Sequence, residues 1–211
     1  MTTVALAGAT GLVGGIVLAL ALADDRVTRV IAPTRKPLPR HPKLVAPVVD
    51  FDALPSSAGW WTAHAGICAL GTTRAQAGSA DGFRRVDRGY PLAFARRLRD
   101  HGAERFVLVS AAGASRRSLF HYFRVKGDLE HDLTALGFAS LTLLRPGLID
   151  GERRCARPGE RRVVRLVTAV NAVLPTLIRI NPAPAIARAA LNAALSGTPG
   201  RTIMKPSELT S

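Results

Sequence analysis

Glycines at 8, 11 and 14 separate a short apolar run from an apolar helical pattern, in Val4-Ala-Leu-Ala-Gly8-Ala-Thr-Gly11-Leu-Val-Gly14. Few arrangements satisfy that spacing. A strand must turn directly into a helix, and the turn must leave its backbone bare. Gly8 permits the tight turn, Gly11 lets the main chain approach a pyrophosphate, and Gly14 lets the helix settle on the strand. The first turn of that helix then offers unpaired N–H groups and a positive dipole end to an anion. A lone glycine triad also suits a purely structural turn. Its place here, between a strand and a helix near the N-terminus, favours a dinucleotide loop contacted by Gly8, Thr10, Gly11, Leu12, Val13 and Gly14.

Residues 4–23 carry no charge, and Ala21-Leu22-Ala23 has the small-residue look of a leader-cleavage site. Only Met-Thr-Thr precedes the run, so the basic segment that opens a secretory leader is missing. Four glycines within it, at 8, 11, 14 and 15, would weaken a membrane helix. No other segment reaches the roughly 18 uncharged apolar residues that a membrane span needs. The expectation is a cytoplasmic protein with no membrane contact. Cys68 and Cys155 are too few for a disulfide framework, and neither has a metal-ligand neighbour at the right spacing. No metal is expected. Cys68, inside Gly66-Ile-Cys-Ala-Leu-Gly71, reads as a small core residue.

The formal net charge is +14, yet only Lys36, Lys43, Lys126 and Lys205 of the 29 basic residues are lysines. The arginine and alanine excess reads as the codon bias of a GC-rich bacterial genome as much as a selected surface. Arginines cluster at 84–88, 96–99 and 153–162. Few aromatics interleave them and no nucleic-acid motif is present, so nucleic acid is not the expected partner. A solvated basic face that attracts phosphate-bearing ligands is. A protein partner or a homodimer stays open.

Strand and helix patterns alternate. Strands are predicted at Val4–Ala7, Val27–Ala32, Leu44–Val49, Gly66–Leu70, Arg105–Val109 and Leu141–Leu144. Helices are predicted at Leu12–Ala23, from about Phe83 to His101 with a kink or break at Pro91, and at Leu119–Leu136, ended by Gly137. This rhythm predicts an α/β fold: a Rossmann-type, doubly wound parallel sheet. The pattern changes after about 147. An Arg/Gly-rich loop at 150–162 leads to an apolar helix at Val163–Ile178. A helix at Ala185–Leu195, closed by Gly197, and a short strand at Thr202–Met204 follow. The reading is one domain over 1–211, with about 147–200 forming a small substrate-side region within it.

Open α/β sheets bind ligands at the carboxyl ends of their strands. The second strand ends in Thr34-Arg35-Lys36, where an acid would suit the ribose hydroxyls of NAD. Cations there suit the 2′-phosphate of NADP, with Arg35 ahead of Lys36 for its planar fork. Asp50 could accept the adenine amino group while Phe51 flanks the ring; an ordinary turn fits nearly as well. Leu70-Gly71-Thr72 leaves room for ribose and phosphates. Ser110 ends the fifth strand. Tyr122 and Lys126, four apart on one helix, share a face beside the core stripe Val125, Leu129, Leu133 and Leu136. An ammonium near a phenol lowers its pKa and makes it a usable proton donor. Ser110 faces the same crevice and can hydrogen-bond a reacting carbonyl oxygen. Adjacent helical residues point about 100° apart, which sends His121 to the rim or to solvent. Ser115 and Ser118 read as loop polarity.

The glycine loop, Ser110 and Tyr122-x-x-x-Lys126 together resemble the short-chain dehydrogenase/reductase superfamily. Cys68-Ala-Leu-Gly-Thr-Thr73-Arg74, Val86-Asp87-Arg88, Phe106-Val-Leu-Val-Ser110, Tyr122-Phe-Arg-Val-Lys-Gly127 and Leu144-Arg-Pro-Gly147 resemble its atypical branch around the Tat-interacting-protein oxidoreductases and their small bacterial relatives. The resemblance covers most of 1–150. It implies an NADP(H) cofactor and a small-molecule carbonyl substrate, with Ser110, Tyr122 and Lys126 as the catalytic trio. It also implies that the backbone of Pro146 and Gly147, rather than the Arg145 side chain, skirts the nicotinamide. Many members carry an asparagine ahead of the trio as part of a proton relay, and this chain shows no clear counterpart. Relatives that bind the cofactor as redox sensors supply the alternative: a non-catalytic NADP-binding regulator acting through a protein partner.

Overall fold

The computed structural model describes residues 1–72, 77–150 and 179–210. The expected helix at Val163–Ile178, the loop over 151–162 with Cys155, and Thr73-Arg74 lie outside them. Strand β1 (Thr2–Ala7) leads into helix α1 (Leu12–Ala23). Then come β2 (Val27–Ile31), β3 (Leu44–Val45) and β4 (Ala65–Cys68). Helix α2 (Ala80–Arg84), a π turn (Arg85–Gly89) and α3 (Tyr90–Asp100) follow. Next are β5 (Arg105–Val109), α4 (His121–Ala135), β6 (Ser140–Leu144) and β7 (Leu148–Asp150). The chain closes with β8 (Ile180–Pro182), α5 (Ala183–Ser196) and β9 (Gly200–Met204).

Seven strands form one sheet in the order β3-β2-β1-β4-β5-β6-β9, and every pairing is parallel. The chain winds outward from β1 to β3, then starts again from β4 on the other side. The crevice where the direction reverses lies between β1 and β4, at the end of β1 where the glycine loop begins. Alternation along β1 sends Val4 and Leu6 to one face and Ala5 and Ala7 to the other. The first face packs under α1 and α5, through Val13, Val17, Ala21, Ile186, Ala187 and Ala190. The second packs under α3 and α4, through Phe94, Leu98, Leu129 and Leu133. Both faces are covered, which is why the strands read as near-continuous apolar runs. The doubly wound fold expected from the sequence is the one observed.

Several boundaries moved for identifiable reasons. The third strand stops at Val45 instead of Val49, because Pro47 has no N–H for the ladder. Its carbonyl still accepts from Thr34 at 3.0 Å, and one isolated bridge joins Thr34 to Val48. The single helix expected from Phe83 to His101 is divided by the π turn, and Pro91 sits in the first turn of α3, where its missing N–H costs nothing. Helix α4 begins at His121, so Leu119 precedes it. The parallel pair β7–β8 was not anticipated. Helix α5 ends as expected on Gly197, which adopts a left-handed φ of +64°.

Candidate active site

The glycine loop is packed as tightly as its spacing implies. Gly8 has φ +94°, and a Cβ there would lie 2.7 Å from the Ala69 carbonyl carbon. A Cβ on Gly14 would lie 2.0 Å from the Gly8 carbonyl oxygen. Neither position admits alanine without moving main chain. Gly11 caps α1 with an extended backbone and no side-chain hydrogen bond, so the helix start stays bare. Thr10, Gly11 and Leu12 are exposed there, with Val13 buried behind.

A cavity of about 400 Å³ opens from this loop. It is lined by Gly11, Leu12 and Val13, by Leu70, Gly71 and Thr72 at the end of β4, and by Ser110, Tyr122 and Lys126. Four chain segments that the sequence marked separately therefore meet in one place. Asp87 and Ile149 line it too, and neither was expected there.

Lys126 is buried, with its Nζ 2.7 Å from Oδ1 of Asp87. Oδ2 of Asp87 accepts from the Thr72 backbone N–H at 2.9 Å. Burial works against the lysine's charge, but Asp87 and then Tyr122 outweigh it and raise its pKa above the ordinary value. Tyr122 is 42% exposed at the cavity mouth, its ring 5.7 Å from Phe83 and 5.2 Å from Phe123. The pair does not share one environment: the lysine is enclosed and the tyrosine is partly exposed.

Ser110 is buried and donates its hydroxyl to Oε1 of Glu130 at 2.6 Å. Glu130 is also gripped by Arg145, whose Nε donates to Oε1 at 3.0 Å and whose second nitrogen meets Oε2. The Arg145 side chain thus turns to Glu130, while Pro146 and Gly147 are held by backbone contacts. Pro146 accepts from the Ala112 N–H at 2.7 Å, and Gly147 donates to the Asn181 side chain at 2.9 Å.

The remaining expected residues, Pro146 and Gly147 included, are not among those that line this cavity. Arg35 and Lys36 are exposed just past β2, on a turn closed by Thr34 Oγ1 donating to the Lys36 carbonyl at 2.6 Å. The Asp50 carboxylate accepts from the Asp52 N–H, capping a short 3₁₀ turn. Phe51 is buried against Tyr90 at 5.6 Å between ring centres. His121 is partly buried, 5.9 Å from the Phe83 ring. Ser115 and Ser118 accept from the N–H groups of Arg117 and Phe120, which is loop polarity as expected. Cys68 is fully buried, and burial pushes its thiol up to about 12. Among the described residues no group of His, Cys, Asp or Glu could hold a metal ion, and no helix is long and apolar enough to cross a membrane.

Asp87 and Glu130 are what sequence reasoning missed. Both are acids on helical stretches that otherwise read as solvated faces. The signal for Asp87 was present in Val86-Asp87-Arg88, which the resemblance already quoted.

The chain is 40% identical over 211 residues to "Protein fmp52, mitochondrial" of Aspergillus clavatus, covering 95% of this chain and 90% of that protein. It is 37% identical over 163 residues to "Protein HTATIP2" of Rattus norvegicus, covering 75% and 67%. It belongs to their family. That family is an atypical branch of the short-chain dehydrogenases/reductases, as the motifs implied. No family model matches the chain. Among solved structures, MoeE5 in complex with UDP-glucose and NAD superposes with a TM-score of 0.71 at 18% identity, covering 98% of this chain and 79% of that one. A Saccharomyces cerevisiae short chain dehydrogenase/reductase superposes at 0.67 and 13% identity, covering 97% and 96%. Those two likenesses concern the fold. The relatives also correct two expectations. The fmp52 proteins are named as mitochondrial, which points away from the cytoplasm. The two relatives named above are fungal and mammalian rather than bacterial.

Proposed function

We propose that this protein is an NADP(H)-dependent oxidoreductase that reduces a carbonyl on a small molecule, with Ser110, Tyr122 and Lys126 as the acting side chains. The observation that carries the reading is the one cavity that joins the bare start of α1 to all three of them. The residues fit a dinucleotide: a glycine cradle that a Cβ would fill, and buried Lys126 at the inner end. The N–H groups of Gly11, Leu12 and Val13 would hold the pyrophosphate. Leu70, Gly71 and Thr72 would flank the ribose, and Lys126 would reach its hydroxyls. Arg35, assisted by Lys36, would take the 2′-phosphate, and Asp50 with Phe51 the adenine side. The backbone of Pro146 and Gly147 would border the nicotinamide. A bound nicotinamide would supply the hydride.

Tyr122 gives its phenolic proton to the carbonyl oxygen as that oxygen gains charge, and Lys126 stabilises the phenolate left behind. Ser110 steadies the same oxygen by turning its hydroxyl away from Glu130, a rotation open to any serine. The relatives' names favour a mitochondrial setting.

A second reading is favoured by a specific observation: Ser110 and Lys126 both already have carboxylate partners. A regulator that only binds the cofactor would need neither side chain for catalysis. Tyr122→Phe separates the two. Under the first reading it abolishes NADPH-dependent reduction across a panel of aldehydes and ketones and leaves NADPH affinity nearly unchanged. A wild type with firm NADPH binding and no turnover on any panel member supports the regulator.

A further inference from the structure

Asp87 is the enclosed acid of the cavity. The π turn Arg85–Gly89 that carries it adds a residue to the helical repeat and re-aims the side chains that follow. The Asp87 and Lys126 side chains are 1% and 4% exposed, with Oδ1 2.7 Å from Nζ. The other oxygen takes the Thr72 N–H at 2.9 Å. One carboxylate therefore ties the lysine of α4 to the loop that leaves β4. Both partners line the cavity.

We propose that Asp87 is a positioning residue that acts through Lys126. It keeps the ammonium charged and held at the cavity that both side chains line. The proposal rests on Lys126 being a working residue of the site. Three titratable groups face its ammonium: Asp87 from the π turn, Tyr122 from the same helix and Cys68 from β4. At neutral pH a phenol and a buried thiol are uncharged, so Asp87 is the compensating anion. Without it, a buried ammonium is driven toward the neutral amine. A pair that merely joined two elements would not make nucleotide affinity follow the charge of Lys126.

Asp87→Asn keeps an oxygen for the Thr72 N–H and removes only the charge. The chain has four lysines, Lys36, Lys43, Lys126 and Lys205, so carbon-13 NMR of the lysine ε-carbons can follow each one, with Lys126→Met assigning the signal. The midpoint of Lys126 in the wild type is expected to lie above the ordinary lysine value, held there by Asp87, and in Asp87→Asn it is expected to fall below that value. NADPH affinity, flat for the wild type between about pH 7 and 9, then falls with rising pH in the variant as the lysine discharges. Asp87→Glu, which keeps the carboxylate, holds Lys126 charged. An unchanged Lys126 midpoint in Asp87→Asn overturns the proposal. Should Asp87→Asn fail to fold, Asp87→Asn combined with Lys126→Met decides: recovery of the fold shows that the uncompensated charge was at fault, and no recovery overturns the proposal. The titration needs no cofactor. A wild type that binds no NADPH therefore defeats the proposed function, while the lysine midpoint still reports on Asp87.

Discussion

Arg35 stands exposed where an acid would have marked a different nucleotide, and the turn beneath it is fixed by the Thr34 hydroxyl. Replacing it with alanine leaves that turn intact and removes only the guanidinium. A lost charge-assisted contact to a 2′-phosphate is worth about 1.5–3 kcal/mol, so calorimetry should show NADPH weakened for Arg35→Ala with NADH unmoved. An equal loss for both nucleotides would place Arg35 on a phosphate they share. Cys68 gives a second test at this scale. Its thiol, raised by burial to about 12, stays protonated in the folded protein where an unfolded thiol ionises. The sign follows: the folded state is favoured by this group below the unfolded value of about 8.5, and that contribution drains away as pH climbs from there toward the folded value. In a Cys155→Ser background, thiol reagents at about pH 8.5 should leave native protein unlabelled and react at once after denaturation. Rapid labelling of native protein would mean that the β4 core opens.

At the scale of elements, α4 is seated by a glycine that carries no chemistry. A Cβ on Gly127 would lie 2.3 Å from the Ser115 carbonyl carbon and 2.5 Å from the Arg116 nitrogen. Alanine gains up to about 1 kcal/mol of helix propensity but must push the loop after β5 aside. Overpacking of this kind costs about 1–3 kcal/mol, so Gly127→Ala is expected to lower the denaturant midpoint despite the propensity gain. Turnover should fall further than stability, because Ser110 and Tyr122 bracket that loop; equal losses would argue that the loop moves without them. Elements were also where the sequence was most and least legible. The glycine loop, the parallel order and the gathering of Ser110, Tyr122 and Lys126 follow from local spacing and strand ends. The π turn does not, since Arg85-Val-Asp-Arg-Gly89 contains nothing that distinguishes it from a helix interior. The partners Asp87 and Glu130 are set by tertiary contact, and on a helical wheel they pass for solvated acids. The β7–β8 pair joins residues on either side of a long intervening stretch, so no turn signal announces it.

At the scale of the molecule, the edge of the cavity is tied to the C-terminal strands through Asn181. This side chain is fully buried, accepts from the Gly147 N–H at 2.9 Å, and donates to the Pro206 and Leu209 carbonyls at 2.8 and 2.9 Å. It joins the segment after β6, strand β8 and the turn that follows β9. Leucine has nearly the same volume but meets none of these bonds. Orphaning these three main-chain groups, two of them buried, is expected to cost about 3 kcal/mol, read as a lower denaturant midpoint for Asn181→Leu. The location of the loss decides what the network is for. Asn181 holds the Gly147 N–H, and Ile149, two residues further along the chain, lines the cavity. If that backbone borders the nicotinamide, NADPH affinity should drop under conditions where the variant is still fully folded. Full affinity in a destabilised but folded variant would show that Asn181 serves the C-terminal packing alone. The nicotinamide side would then have to be formed by other residues.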